Sequence, residues 1–286
     1  MTFSIVALDA RNGDLGVAVQ SKFLAVGAVV PWARAGVGAI ATQSYANLAY
    51  GPQGLDLLAG GASPQEAIAA LTAADAERAL RQVGMVDAQG RAFAYTGEGC
   101  HPWAGHIVGP NYACQGNILV SGATVQAMAR AFAEAQGELA ERLVAALAAG
   151  QAAGGDRRGQ QSAALLVVRA GGSYGGYSDR YIDLRVDDHP RPIEELARLL
   201  RLHRLYFEKP RPEDMRPLEG ELLAEVQSLL ARLGYYRGPI GAPYDEATRQ
   251  ALSDYAGVEN LEERLSTEAW IDPVVLEFLR RSGNAP

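Results

Sequence analysis

The clearest local pattern of apolar and polar positions lies at the start of the chain. Residues 2–7 are small, apolar and partly β-branched, which predicts a buried strand. The Asn12-Gly13 pair that follows is the dipeptide most typical of a tight hairpin, and residues 15–20 supply the return strand. The pattern therefore predicts that the first residues are held in a sheet, whereas most chain termini fray.

Helical spacing of apolar residues appears further along the chain. Ser63, Pro64 and Glu66 form the signature of a capping box with proline in the first turn, so we expect a helix to begin there. Strands, then helices, then strands again predict a layered α+β fold. Because no Gly-x-Gly-x-x-Gly motif follows a strand, the pattern argues against a Rossmann fold. The other periodic segments are helical at 124–135, 138–149 and 192–207 and extended at 162–168 and 181–187.

A polar, proline-rich stretch at residues 209–214 is typical of a linker. Amphipathic helices are predicted beyond it at 219–233 and 244–255, and a third is expected to begin at Asp272. We therefore predict a first domain over residues 1–208, a linker at 209–217 and a small three-helix domain over 218–286.

Composition narrows the classes of function. The chain has 286 residues, of which 48% are hydrophobic, and a net charge of −7, which argues against a nucleic-acid surface. Two cysteines do not make a disulfide framework. No apolar run approaches the about 18 residues of a membrane span, and the start of the chain lacks the basic region and cleavage site of a signal peptide. We expect a cytoplasmic protein without a cofactor, with neither nucleic acid nor membrane as partner.

Thr2 is the leading candidate for chemistry. Initiator methionine is normally removed before so small a residue, so we expect the mature chain to begin at Thr2 with a free amine of pKa about 8. Such an amine can accept the proton of its own threonine hydroxyl and so activate it as a nucleophile. The alternative interpretation is that Thr2 is an ordinary strand residue behind a retained Met1.

The first 207 residues resemble the DUF1028 family. The stretches that carry this resemblance are 2–7, 24–33, 81–84, 115–117 and 183–189. The resemblance implies an N-terminal-nucleophile (Ntn) hydrolase fold, a four-layer αββα sandwich in which two antiparallel sheets lie between two layers of helices. The family has no established activity, so the resemblance bears on the fold more than on the function.

More distantly, the first hairpin is similar to that of proteasome β subunits, where a threonine heads the first strand. The similarity implies that Lys22 adds positive potential beside the threonine hydroxyl and that Asp156, in the loop before residue 162, orients the amine. The acid that is usual on the returning strand is replaced here by Gln20 or Ser21.

Five polar residues are candidates for contact with a substrate. Gln43 and Ser44 follow a small-residue strand, where the similarity to Ntn enzymes implies an oxyanion donor. Asn47, Gln115 and Asn117 are polar groups among apolar neighbours, so they either line a pocket that recognises an amide or carboxylate or satisfy buried turns. No metal site is predicted, because the histidines and cysteines lack the spacing of a ligand set.

The C-terminal region resembles a peptidoglycan-binding-like module. The stretches 226–230, 233–238 and 244–248 carry this second resemblance. It implies a shallow groove for cell-wall glycan or stem peptide. The alternative is a helical unit for interaction or dimerisation.

Two functions are consistent with these patterns. In the first, the protein is an amidohydrolase or peptidase in which Thr2 attacks the amide bond of a small amide, short peptide or amino-acid derivative, and the C-terminal domain binds a peptidoglycan fragment. In the second, it is a non-catalytic binding or assembly protein on an Ntn scaffold that retains Met1. In both cases we expect a homo-oligomer.

Overall fold

The structure, a computed structural model, describes residues 2–283 and divides into two compact units, one up to residue 200 and one from residue 201 onwards. The described residues form a mixed fold of antiparallel sheets and eight α-helices, so the predicted α+β class is confirmed. The predicted domain limits at 208 and 218 remain predictions.

Strands and helices are numbered in chain order. The strands are β1 (Thr2–Asp9), β2 (Asp14–Ser21), β3 (Pro31–Arg34), β4 (Gly38–Ser44), β5 (Arg81–Asp87), β6 (Ala92–Thr96), β7 (Gly105–Gly109), β8 (Tyr112–Gly116), β9 (Ser162–Val168), β10 (Arg180–Val186), β11 (Arg216–Pro217) and β12 (Trp270–Ile271). The helices are α1 (Tyr50–Ala59), α2 (Pro64–Ala73), α3 (Ala123–Glu134), α4 (Leu139–Ala152), α5 (Pro192–Phe207), α6 (Gly220–Arg232), α7 (Glu246–Glu259) and α8 (Pro273–Gly283).

Two antiparallel sheets make up most of the first unit. The larger has the strand order β10-β9-β2-β1-β8-β7 and the smaller the order β3-β4-β5-β6. The predicted first hairpin is confirmed, with Thr2 opposite Ser21 and Asp9 opposite Asp14, and Gly13 supplies the positive φ of 81° that its turn requires. Because β1 pairs with β2 on one side and β8 on the other, it lies in the interior of the larger sheet.

The period-2 alternation of β1 assigns its side chains to two different cores. Phe3 and Ile5 pack against the layer formed by α3, α4 and the start of α5. Val6 and Leu8 point the other way, into the apolar core between the two sheets. The far face of the smaller sheet is covered by α1 and α2, and the predicted capping box at Ser63 and Glu66 is confirmed at the start of α2.

The second unit is organised around three helices. Apolar residues of α6, α7 and α8 form one core, which includes Val226, Tyr255 and Leu276. The buried Arg264 guanidinium bonds to the Asp272 carboxylate over 2.7 Å, and Asp272 also caps α8 through the Val274 amide. Within residues 2–283, no helix combines the length and apolar character that crossing a membrane requires.

Candidate functional site

One face of β1 changes from polar to apolar along its length. Thr2 and Ser4 occupy the same face as Val6 and Leu8, yet Thr2 is only 3% exposed and Ser4 is fully buried. Burying a polar side chain is unfavourable unless it is hydrogen-bonded. The amino end of β1 is therefore held by a specific set of partners.

The polar atoms of Thr2 are all engaged. Its hydroxyl donates to Ser21 Oγ over 3.0 Å, and its backbone N–H donates to the Asn117 carbonyl over 3.3 Å. Its carbonyl oxygen accepts from Asn117 N at 3.0 Å and from Gln43 Nε2 at 3.2 Å. Residues of β2, β4 and the end of β8 thus fix the backbone of Thr2 and its hydroxyl group.

Side-chain amides continue this arrangement between the two sheets. Gln115 Nε2 donates to Ser4 Oγ over 2.7 Å, and Ser4 donates in turn to Gln43 Oε1 over 2.6 Å. Gln82 Oε1 accepts from both Gln43 Nε2 and Asn117 Nδ2, at 2.9 and 2.8 Å. We call these five residues, Ser4, Gln43, Gln82, Gln115 and Asn117, the amide network.

Gly84 shows how closely the amide network is packed. It lies on β5 opposite Ala41, and a Cβ at this position would approach Gln115 Oε1 to 2.2 Å. Real Cβ atoms do not approach other atoms so closely, so only glycine leaves room for the Gln115 amide here. The amide network therefore depends on the backbone of the second sheet as well as on its side chains.

A cavity of about 480 Å³ opens beside the amide network in the first unit. Its volume is within the range of small-molecule sites. Four lining residues are polar or charged, one is a tyrosine, and the others are apolar. The lining residues are Thr2, Phe23, Val26, Val29, Val30, Gln43, Ser44, Tyr45, Ala46, Leu48 and Arg81. We call it the Thr2 cavity.

Ser44 ends β4 with unusual backbone geometry. Its φ is 71°, in the left-handed region that non-glycine residues rarely adopt, and such positions are often found at functional sites. Thr42 N donates to the Val30 carbonyl, whereas Tyr45 N donates to Leu80 O on the opposite side of the strand. Because backbone N–H groups alternate along a strand, the Ser44 N–H shares the side of Thr42, where Val30 lines the Thr2 cavity.

Arg81 is the cationic side chain of the Thr2 cavity, and it is 9% exposed. Its Nε donates to Asp75 Oδ2 over 2.9 Å, its Nη2 to Glu77 Oε2 over 2.5 Å and its Nη1 to the Tyr45 carbonyl over 2.7 Å. The Arg81 bond is the largest cause that holds the pKa of Asp75 well below its ordinary value. The guanidinium is thus held in place and largely neutralised by its neighbours.

The sequence-predicted residues divide between two places in the first unit. Gln43 and Ser44 line the Thr2 cavity, and Gln115 and Asn117 belong to the amide network beside it. Asn47 instead lines a separate cavity of about 740 Å³ between α1 and α2, where its Nδ2 donates to Asp75 over 3.1 Å.

Lys22 and Asp156 lie next to the site rather than inside the Thr2 cavity. The exposed Lys22 ammonium donates to the Gln160 carbonyl over 3.4 Å, while its backbone N–H donates to Asp156 Oδ2 over 3.1 Å. The buried Asp156 carboxylate is paired with Arg158 at 2.7 Å, and its backbone bridges to Leu119. Asp156 thus adjoins the segments that flank the amino end of β1, and Met1 itself is outside the described residues.

Sequence reasoning missed Ser4, Arg81 and Gln82 as residues of the site, and it left open whether Gln20 or Ser21 lies beside Thr2. These two residues occupy the position where an acid is usual. Ser21 is the one that contacts Thr2, because its Oγ accepts the hydrogen bond of the Thr2 hydroxyl. Gln20 is on the helix-facing side of β2, as Ala18 is. In the sequence, Arg81 and Gln82 stand out only as part of the stretch 81–84, which carries the family resemblance. Nothing in the sequence shows that β5 lies against β1, so neither residue could be assigned to the site.

The second unit has a cavity of its own, of about 270 Å³. Trp270, which is 40% exposed, lines it together with Tyr244, Arg249 and hydroxyl side chains at Ser253 and Thr267. Aromatic rings beside charged and hydroxyl groups are typical of sites where one end of the ligand is apolar and the other polar.

Similarity to known proteins agrees with this fold. A family model described as a family of unknown function, DUF1028, matches residues 2–196. The chain belongs to the DUF1028 family. Protein SPO2555 from Silicibacter pomeroyi, a DUF1028 protein of known crystal structure, is similar with a TM-score of 0.65 and 31% identity, over 71% of this chain and 89% of its own. No curated protein gives a significant match.

A second family model, described as "Putative peptidoglycan binding domain", matches residues 206–279. The resemblance of the C-terminal region to a peptidoglycan-binding-like domain is therefore confirmed. Within residues 2–283, no group of three or more His, Cys, Asp and Glu side chains is placed to hold a metal ion. Burial raises the pKa of the Cys114 thiol far above its ordinary value, which makes it a poor nucleophile.

Proposed function

We propose that this DUF1028 protein is an N-terminal-nucleophile hydrolase that cleaves an amide bond, with Thr2 as the nucleophile. One observation carries the proposal. Thr2 is fixed by four hydrogen bonds at the head of a central strand, and it lines a ligand-sized cavity together with Gln43 and Ser44. The order of helices, sheet, sheet and helices in the first unit supports the Ntn assignment.

The chemistry begins after removal of Met1. The Thr2 amine accepts the hydroxyl proton as Oγ1 attacks the carbonyl carbon of the substrate. The C–N bond breaks, the proton passes to the leaving amine, and the acyl group stays on Oγ1 as an ester. Water then hydrolyses the ester with the same amine as base, which releases a carboxylic acid and restores Thr2.

The surrounding residues have supporting roles in this proposal. The Ser44 backbone N–H, on the side of β4 that faces the Thr2 cavity, stabilises the oxyanion of the tetrahedral intermediate. Asp156 orients the Thr2 amine, and Lys22 contributes only long-range positive potential because its ammonium is exposed and bonds to Gln160. Ser21 positions the Thr2 hydroxyl through their 3.0 Å bond.

Thr2 variants and the mass of the chain test this proposal together. Hydrolysis of a small-amide and dipeptide library by Thr2→Ala is expected to fall about 10³-fold or more, while Thr2→Ser keeps measurable turnover. Thr72→Ala is the matched control, because it removes a buried threonine hydroxyl that bonds to the Ile68 carbonyl within α2 and belongs neither to the amide network nor to the Thr2 cavity. A chain that retains Met1, or equal hydrolysis by Thr2→Ala and Thr72→Ala, would contradict the proposal.

For the second unit we infer a cell-wall ligand, because its sequence matches a peptidoglycan-binding-like domain and Trp270 lines a cavity with polar side chains. The full chain should co-sediment with purified peptidoglycan sacculi, and Trp270→Ala should release most of it. Val258→Ala, at a 65% exposed position outside that cavity, serves as the control. Equal sedimentation of both variants would exclude the Trp270 cavity as the binding site.

A further inference from the structure

Apart from the polar catalytic candidates, the walls of the Thr2 cavity are mainly apolar. Six lining side chains are branched aliphatic or aromatic, namely Phe23, Val26, Val29, Val30, Tyr45 and Leu48. Phe23 is 51% exposed and Leu48 is 45% exposed, although both are large apolar side chains. Apolar surface that faces a cavity is favourable to bury, by about 25 cal/mol per Å².

The apolar wall is preformed. The segment between β2 and β3 is held by the bond from Val26 N to Ser162 Oγ, at 3.1 Å, and by the bond from Ala25 N to the Asp187 carbonyl, at 3.0 Å. Gly27 lies so close to β9 that a Cβ would approach the Ala164 Cβ to 2.6 Å. Because the segment is fixed, a ligand that contacts it loses little free energy in ordering the wall.

Charge decides which kind of ligand suits this wall. Among the described residues that line the cavity, Arg81 is the one with a cationic side chain, and its guanidinium already bonds to the carboxylates of Asp75 and Glu77. That cluster of one cation and two anions does not favour a carboxylate on the ligand. The lining therefore favours a neutral apolar group next to Thr2.

We propose that the Thr2 cavity binds the acyl side of N-acyl amides that carry an aliphatic or aromatic acyl group. This inference rests on the proposed function, because it places the scissile carbonyl beside Thr2 Oγ1 and the acyl chain along Phe23 and Leu48. It excludes short acidic amides as the preferred substrates.

The test measures the full-length protein against a series of straight-chain acyl p-nitroanilides, from acetyl to octanoyl. The kcat/KM of the wild type is expected to rise about fourfold per added methylene until the cavity is filled. In Phe23→Ala, kcat/KM for the octanoyl substrate should fall at least about fivefold, with the acetyl substrate little changed. Leu24→Ala is the matched control, because Leu24 is 60% exposed, adjoins Phe23 and does not line the cavity.

Calorimetric titration with octanamide and acetamide separates this inference from the hydrolase proposal. Tighter binding of octanamide by wild type and Leu24→Ala, but not by Phe23→Ala, supports the acyl site even if no p-nitroanilide is hydrolysed, in which case only the hydrolase proposal fails. Hydrolysis without dependence on chain length, identical behaviour of the Phe23 and Leu24 variants, or no octanamide binding would overturn the acyl site.

Discussion

The two halves of β1 face the same second sheet but are built from different chemistry. Toward the hairpin, Val6 and Leu8 join an apolar core with Leu15 and Val17. Toward the amino end, Thr2 and Ser4 meet the amide network. Both halves are buried, so the contrast is not one of exposure.

The difference is consistent with the proposed function, in which one half of β1 stabilises the fold and the other half positions Thr2. Apolar side chains at the amino end of β1 would be the safer choice for stability, since a polar network with unsatisfied groups stabilises the folded state less than an apolar core does. Natural proteins break such local rules mainly at functional sites. The amide network therefore holds Thr2 in one position beside the cavity, while the apolar half supplies the stability that this arrangement needs.

The largest effect is expected in the apolar half. Leu15→Ala removes a fully buried side chain between the sheets and should lower the free energy of unfolding by about 2–5 kcal/mol. Denaturant unfolding measures it, with the exposed Leu24→Ala as a control expected to change stability by less than about 0.5 kcal/mol. Turnover per folded molecule should stay unchanged, and its loss would show that the two halves are not separable.

A smaller effect is expected from the centre of the amide network. Gln82→Met keeps the size of the side chain but removes the acceptor of Gln43 and Asn117, so two buried donors lose a partner. We expect a loss of about 2–3 kcal/mol in denaturant unfolding. A double-mutant cycle with Asn117→Ala should give a coupling energy of about 0.5–3 kcal/mol. Simple additivity of the two variants would contradict a shared network.

The third prediction concerns acid. Hydrogen bonding to Arg81 lowers the pKa of Asp75 below its ordinary 3.8, so the folded state gains stability from the ionised carboxylate above that pH. The gain is lost as pH falls from about 4 toward the lower folded pKa. Urea unfolding should show Asp75→Asn less stable than wild type near neutral pH, with the difference shrinking in acid. Asp56→Asn, in an exposed pair with Arg34, should show little difference at any pH.

The smallest effect is expected outside the sheet interface. Ser63→Ala removes the capping bond to Glu66 N at the start of α2 and should cost about 1 kcal/mol in thermal unfolding. The loss of stability in this variant measures how much one solvent-accessible polar contact contributes, for comparison with the buried contacts of the amide network. If it destabilises as much as Gln82→Met, burial does not distinguish the amide network from an ordinary cap.

The sequence predicted much of the local structure. The Asn12-Gly13 turn, the capping box at Ser63 and the strand at residues 162–168 were all predictable, because each depends on neighbours within a few residues. Gln43 and Ser44 were also candidates from their place after a strand, and both line the Thr2 cavity. The catalytic roles given to Thr2, Lys22 and Asp156 remain predictions.

What the sequence by itself determined is the first hairpin, the capping box of α2 and the anchored position of Thr2, since periodicity and turn chemistry act locally. Only the tertiary structure decided which polar groups meet. Gln82 lies 80 residues from Thr2 along the chain, and no local pattern reveals that its strand packs against β1. Likewise, Lys22 follows Thr2's partner Ser21 directly, yet its ammonium is exposed and bonds to Gln160. Side-chain direction depends on the packing of whole sheets, and for this reason the site required the fold.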